Sequence, residues 1–152
     1  MKKITLSNSF LAEAETILKE GRNVTLHIGG NSMYPFIIGG KDNVVIAPCP
    51  LGQELRLWTC LFYRWKGQYM IHRYVGREGN HLLMMGDGNL GRIERIRRED
   101  VLGILLSIRH PDGSLQDCLD EKWLRRGKQW FKLRLLRRWL IPLYRLLITP
   151  TS

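Results

Sequence analysis

Ser32 is the residue of this chain best placed to act as a nucleophile. It lies in Gly29-Gly30-Asn31-Ser32-Met33-Tyr34-Pro35, just past a stretch with strand periodicity. Glycines before it and a proline after it hold it on a tight, restricted turn. Such a turn presents the hydroxyl outward and leaves neighbouring backbone N–H groups free to face a developing oxyanion. The same hexapeptide also suits an ordinary loop serine that caps its own turn. A serine hydroxyl needs a nearby base before it is a useful nucleophile, and His72, in Tyr69-Met70-Ile71-His72-Arg73-Tyr74-Val75-Gly76, is a candidate. With Ile71, Arg73 and Val75 on one strand face, His72 falls on the other with Met70 and Tyr74. An imidazole, with an unperturbed pKa of about 6.5, suits base work at neutral pH. A strand histidine taken alone is more often structural. Asp87, in Gly86-Asp87-Gly88-Asn89, reads by itself as a turn acid; as a third member it would orient His72 and stabilise its charge.

Positioning these residues is a task for short strands. Val24, Leu26 and Ile28 alternate with Thr25 and His27, a period of two. Further strands are expected at 44–46, 60–65, 69–75, 82–85 and 101–109, separated by turns at Gly39–Asn43, Lys66-Gly67, 76–80 and 86–91. Strands this close, with glycine punctuation and no helix between them, predict a mainly β, antiparallel domain and exclude a βαβ sheet. Ahead of them, Phe10, Leu11, Ala14, Ile17 and Leu18 form one apolar stripe, so residues 7–20 read as a helix. A Ser or Asn at 7–9 would cap its start and Gly21 would end it.

The whole chain has 152 residues, enough for one domain with a real core. A hydrophobic content of 44% with 25% charged residues excludes disordered and collagen-like classes. No stretch approaches the roughly 20 apolar residues that cross a bilayer as a helix, and the first residues lack the apolar run of a cleaved secretory signal. Cys49, Cys60 and Cys118 are odd in number and widely spaced, which points to free thiols in a reducing compartment and to neither a disulfide frame nor a metal site. Cys60 with His72 would make a cysteine-peptidase pair, but Cys60 sits in an apolar strand.

Three motifs in order, Gly30-x-Ser32-Met33-x-Pro35, then Ile71-His72-Arg73-x-Val75-Gly76, then Gly86-Asp87-x-Asn89, resemble the clan of type I signal peptidases and LexA-type serine peptidases. The likeness covers about residues 24–108. The serine motif is most similar to the LexA branch, and the His72-Arg73 and Gly86-Asp87 motifs to the signal peptidases that use histidine as base. The resemblance implies a strongly bent antiparallel β fold with Ser32 as nucleophile, His72 as general base and Asp87 as the acid. It implies an oxyanion and substrate groove at Gly30, Asn31, Met33 and Pro35, and an extended peptide bound as an added strand. Histidine-type relatives carry a second acid about six residues after the Gly-Asp aspartate; here that place is Ile93, with Glu94 one step along, so the acid stays open between Asp87 and Glu94. No metal or organic cofactor is implied. The expected function is a serine endopeptidase acting on a signal- or leader-peptide-like segment or precursor protein. The alternative is a catalytically inactive or regulatory peptide-binding module of the same fold.

The formal net charge of +10 is unevenly spread. Residues 1–121 carry 15 Lys and Arg against 14 acids, whereas residues 122–152 carry 9 and no acid. The division expected is therefore a peptidase domain over 1–118 and a basic amphipathic helical tail over 119–152, kinked or split at Pro142. Leu133, Leu136, Leu140, Leu143 and Leu147 keep helical spacing on one side, Arg134, Arg138 and Arg145 on another. That arrangement suits an in-plane helix on an anionic membrane surface, with Trp123, Trp130 and Trp139 in the interfacial layer. A helix docked on the β domain with its arginines in water is the competing reading. No base-reading module appears, which argues against nucleic acid as partner. The location expected is the cytoplasm, peripheral at the inner face of the membrane.

Overall fold

Short apolar or alternating stretches between turns form eight strands in a computed structural model of the protein, which describes residues 8–148. In chain order the elements are α1 (Asn8–Lys19), β1 (Val24–His27), β2 (Asn43–Pro48), β3 (Cys60–Trp65), β4 (Gln68–Glu78), β5 (His81–Met85), β6 (Glu94–Ile96), β7 (Val101–Arg109), β8 (Leu115–Asp117), α2 (Glu121–Lys132) and α3 (Arg137–Ile148). The strands form one antiparallel sheet ordered β1-β2-β7-β3-β4-β5-β6, with β8 added to β7. The mainly β, antiparallel expectation holds. The turn between β3 and β4 illustrates the local logic: Lys66 and Gly67 both take positive φ, 50° and 75°, as a two-residue hairpin loop with the right twist requires.

Two strands lie outside the expected set. β6 and β8 have three residues each, too short to display a period. The helix α1 falls where expected and lays Ala14 and Leu18 against the sheet; its expected cap at residues 7–9 lies outside the described side chains.

The sheet carries apolar side chains on both faces. One cluster gathers Leu18, Leu26, Met33, Ile46, Cys60, Phe62 and Leu105 with Trp123 and Leu124 of α2. The other gathers Leu61, Tyr63, Tyr74, Met84, Ile96 and Ile104. Consecutive residues of β3 feed opposite clusters, as the pleat demands. The packing does not stop at residue 118: Trp123, Leu124 and Trp130 are buried, so α2 belongs to the core of the domain and is no free tail. The helical segment is divided at Leu133–Leu136, where the chain tightens into a 3-10 turn; α3 runs through Pro142 unbroken.

Candidate active site

Neighbouring residues of β4 point to opposite faces, and this separates the two halves of the His72-Arg73 motif. Opposite residues of paired strands share a face, so the register Leu61↔His72 and Tyr63↔Met70 places Tyr63 on the His72 side. Tyr74↔Met84 and Met84↔Glu94 carry the same face across two more strands to Glu94. The outcome is a buried trio. His72 Nδ1 hydrogen-bonds Tyr63 Oη at 2.9 Å and lies 2.6 Å from Glu94 Oε1. Tyr63 Oη donates to the same carboxylate oxygen at 3.4 Å. His72 is 2% exposed and Glu94 1%. Burial, then the Glu94 carboxylate, push the Tyr63 phenol well above its ordinary range, so Tyr63 is a neutral link between ring and carboxylate. With the Glu94 carboxylate 2.6 Å from Nδ1, a proton on that nitrogen has an acceptor, which leaves Nε2 as the ring nitrogen turned away from the trio.

Asp87 is elsewhere. Both its oxygens are taken by the Arg73 guanidinium, at 2.9 Å from Nε and 2.7 Å from Nη2. Burial would push Arg73 down, but the Asp87 carboxylate more than offsets it and holds the guanidinium above its ordinary value. The Arg73 Cζ stands 4.8 Å from the Phe36 ring and 4.4 Å from the Trp123 ring, and α2 covers the pair. A Cβ on Gly127 would lie 2.2 Å from Arg73 Nη1, so glycine there lets helix and guanidinium meet. The acid beside His72 is therefore Glu94, and Asp87 is a structural counterion on the other face. The expectation of Asp87 as the orienting acid is corrected for that reason. Ile93 is exposed and Glu94 buried in β6, which is how an acid shifted by one step still turns inward.

The Gly86–Asn89 loop nonetheless touches the site. Its Gly88 N–H donates to Ser32 O at 2.8 Å. A Cβ on Gly86 would stand 2.5 Å from Ser32 O and 3.0 Å from His72 Nε2, so the loop can pass between serine and histidine only as glycine. Two residues that the sequence did not assign to the site hold this loop from behind: Trp130, expected in a membrane interfacial layer but buried, donates from Nε1 to Asp87 O at 2.8 Å, and Arg137 Nη1 donates to Gly86 O and Asn89 O at 3.0 and 2.9 Å. Burial pushes the Arg137 guanidinium down to about 10, still protonated at neutral pH. Their only sequence signal is that an aromatic and an arginine fall within the basic C-terminal segment.

Ser32 and His72 line one cleft of about 590 Å³, with Gly30, Met33, Phe62 and Ile71 among the surrounding residues. Asn31 and Pro35 do not line it; Pro35, after a cis peptide bond, faces the hollow beside Trp130 and Tyr144. Ser32 is exposed. Among the described residues no hydrogen bond joins its hydroxyl to His72, and none consumes the N–H groups of Ser32 and Met33. Pairing of β4 with β5 begins at Arg73, so residues 69–72 present an open strand edge along the cleft. Cys60 is on the Arg73 face of the sheet, opposite Arg73 in register, and burial pushes its thiol up to about 12; it forms no pair with His72. Among the described residues no group of His, Cys, Asp and Glu is arranged to hold a metal ion.

Fold and site together define a small antiparallel β domain with a serine, a buried histidine–carboxylate pair and an open strand edge at one cleft. No protein-family model matches the chain, and no curated protein matches it either.

Proposed function

We propose that the chain is a serine endopeptidase with the bent β fold of the signal-peptidase and LexA clan, in which Ser32 is the nucleophile, His72 the general base and Glu94 the acid. The observation that carries this is the polarisation of His72: a buried carboxylate and phenol at Nδ1, and Nε2 directed to the side where Gly86 meets Ser32. In the reaction Nε2 takes the Ser32 proton as Oγ attacks the scissile carbonyl. Glu94 then faces an imidazolium, whose charge it stabilises. The uncommitted N–H groups of Ser32 and Met33 are the donors available to the oxyanion. His72 returns the proton to the leaving amine, and water resolves the acyl-enzyme by the same route reversed. Residues 69–72 add the substrate as a strand, so main-chain hydrogen bonds supply affinity while the apolar lining sorts side chains.

The missing Ser32–His72 hydrogen bond favours the second reading, a peptide-binding module without turnover, although such contacts often close only with substrate bound. A defined peptide library with mass-spectrometric readout separates the two. Cleavage that Ser32→Ala and His72→Ala both abolish, with folding intact, supports the peptidase. Peptides retained but uncut by the wild type, with Ser32→Ala retaining them equally, would overturn it.

A further inference from the structure

The outer face of α3 is apolar, contiguous and open to solvent. Its inner face is committed: Arg137 is buried on the Gly86–Asn89 loop, Ile141 is buried, and Tyr144 meets Trp130 edge-on at 5.6 Å. On a helix of 100° per residue, Trp139, Leu143, Leu146 and Leu147 fall in one arc on the opposite side. They are 62%, 51%, 76% and 76% exposed, and Leu135, in the 3-10 turn that precedes α3, is 80% exposed. An unpartnered apolar stripe of this kind marks a surface that meets something other than water. Arg138 borders the arc on one side and lies 5.3 Å over the Trp139 ring, whereas the Arg145 guanidinium turns back to lie 5.5 Å over the Tyr34 ring.

We propose that α3 docks this arc into the surface of an anionic lipid bilayer. Charge selects the occupant. α3 carries three arginines and no acid, so apposing two copies of the face would bring like charges together, whereas an anionic surface neutralises them. Arg138 at the edge of the arc has a stem long enough to reach headgroups while the leucines enter the acyl boundary. The helix lies in the plane: no helix among the described residues is long and apolar enough to cross a membrane. The attachment surface is narrower than residues 122–148 as a whole, because Trp123 and Trp130 are buried in the domain and Trp139 is the tryptophan on the free arc.

The test is flotation of the full-length protein with phosphatidylcholine vesicles, with and without phosphatidylglycerol. The protein floats with the anionic vesicles at low salt, and the bound fraction falls as salt screens the arginines. Leu146→Glu with Leu147→Glu, both in solvent and so free of a folding role, weakens binding about tenfold or more, whereas Leu51→Glu, equally exposed on a remote turn, does not. Tryptophan emission moves to the blue on binding, and Trp139→Phe removes that shift while binding persists. Failure to float with anionic vesicles at low salt overturns the proposal. So does binding that survives the double glutamate variant, a blue shift unaffected by Trp139→Phe, or light scattering that shows a dimer dissolved by the same glutamates while vesicles have no effect.

Discussion

Replacing Glu94 by Gln keeps the shape of the buried trio and removes its charge. With His72 Nδ1 and Glu94 Oε1 2.6 Å apart, an imidazolium and a carboxylate attract by about 6 kcal/mol at an effective dielectric of about 20. Not all of that is lost. Arg92 Nη2, 3.8 Å from the same oxygen and half exposed, already neutralises part of it, and a glutamine oxygen still accepts from Tyr63. Glu94 Oε2, however, is buried without a hydrogen-bond partner among the described residues, so this carboxylate has little else to stabilise it and gains most when His72 charges. A loss of about 3–5 kcal/mol in the transition state follows, or about 10²–10⁴-fold in kcat/KM. In the proposed mechanism His72 gains its charge as Ser32 attacks, so the drop belongs to kcat with KM little changed. Asp87→Asn behaves differently. It leaves Arg73 buried without its counterion, costs about 3 kcal/mol of stability, and lowers the activity of the folded fraction far less than Glu94→Gln does. The assay is steady-state cleavage of a peptide selected from the library, with urea unfolding of each variant run alongside. Glu94→Gln activity within about threefold of wild type, or a greater loss in folded Asp87→Asn, would refute the assignment of the acid.

Gly86→Ala drives a methyl into Ser32 O and toward His72 Nε2; it should cost about 1–3 kcal/mol in stability and a larger share of activity, because the strain falls between nucleophile and base. Wild-type activity in that variant would mean the loop does not set their separation. Gly127→Ala meets the Arg73 guanidinium, which Asp87 pins in place, so the domain should lose about 1–3 kcal/mol by urea titration although the site of change is on a helix; an unchanged midpoint would show that α2 rides loosely on the sheet. Glu15 receives Tyr69 Oη at 2.6 Å and lies 3.1 Å from Lys19. Burial alone would raise its carboxyl, but these partners hold it below the ordinary value. The folded state therefore binds that proton more weakly than the unfolded chain, so its contribution is full above the unfolded carboxylate range and lost as pH falls through the folded value. Glu15→Gln should flatten the acid limb of stability against pH, and an identical limb would show that this cluster contributes nothing.

What the sequence determined by itself is what short-range pattern encodes. Short apolar runs bounded by turns specify β3 and β7 to the residue, and the apolar stripe of Phe10–Leu18 specifies α1, because both are local properties of spacing along the chain. The three motifs named Ser32 and His72 as partners, and both line the same cleft. Which acid meets His72 was not decided there. Asp87 and Glu94 are each a few residues from the same turn, and only the registers of β4, β5 and β6 determine that Glu94 shares a face with His72 while Asp87 passes to Arg73. Tyr63 entered the site for the same reason, through a pairing that no single strand reveals. The basic helix shows the limit most clearly. Its charge and leucine spacing were plain in the chain, yet periodicity cannot say which apolar face a neighbour will cover. Packing buried Trp123 and Trp130 against Arg73, Phe36 and the Gly86–Asn89 loop, and left Trp139 and the last leucines in solvent; long-range contact alone separates the half of that segment that completes the domain from the half that faces outward.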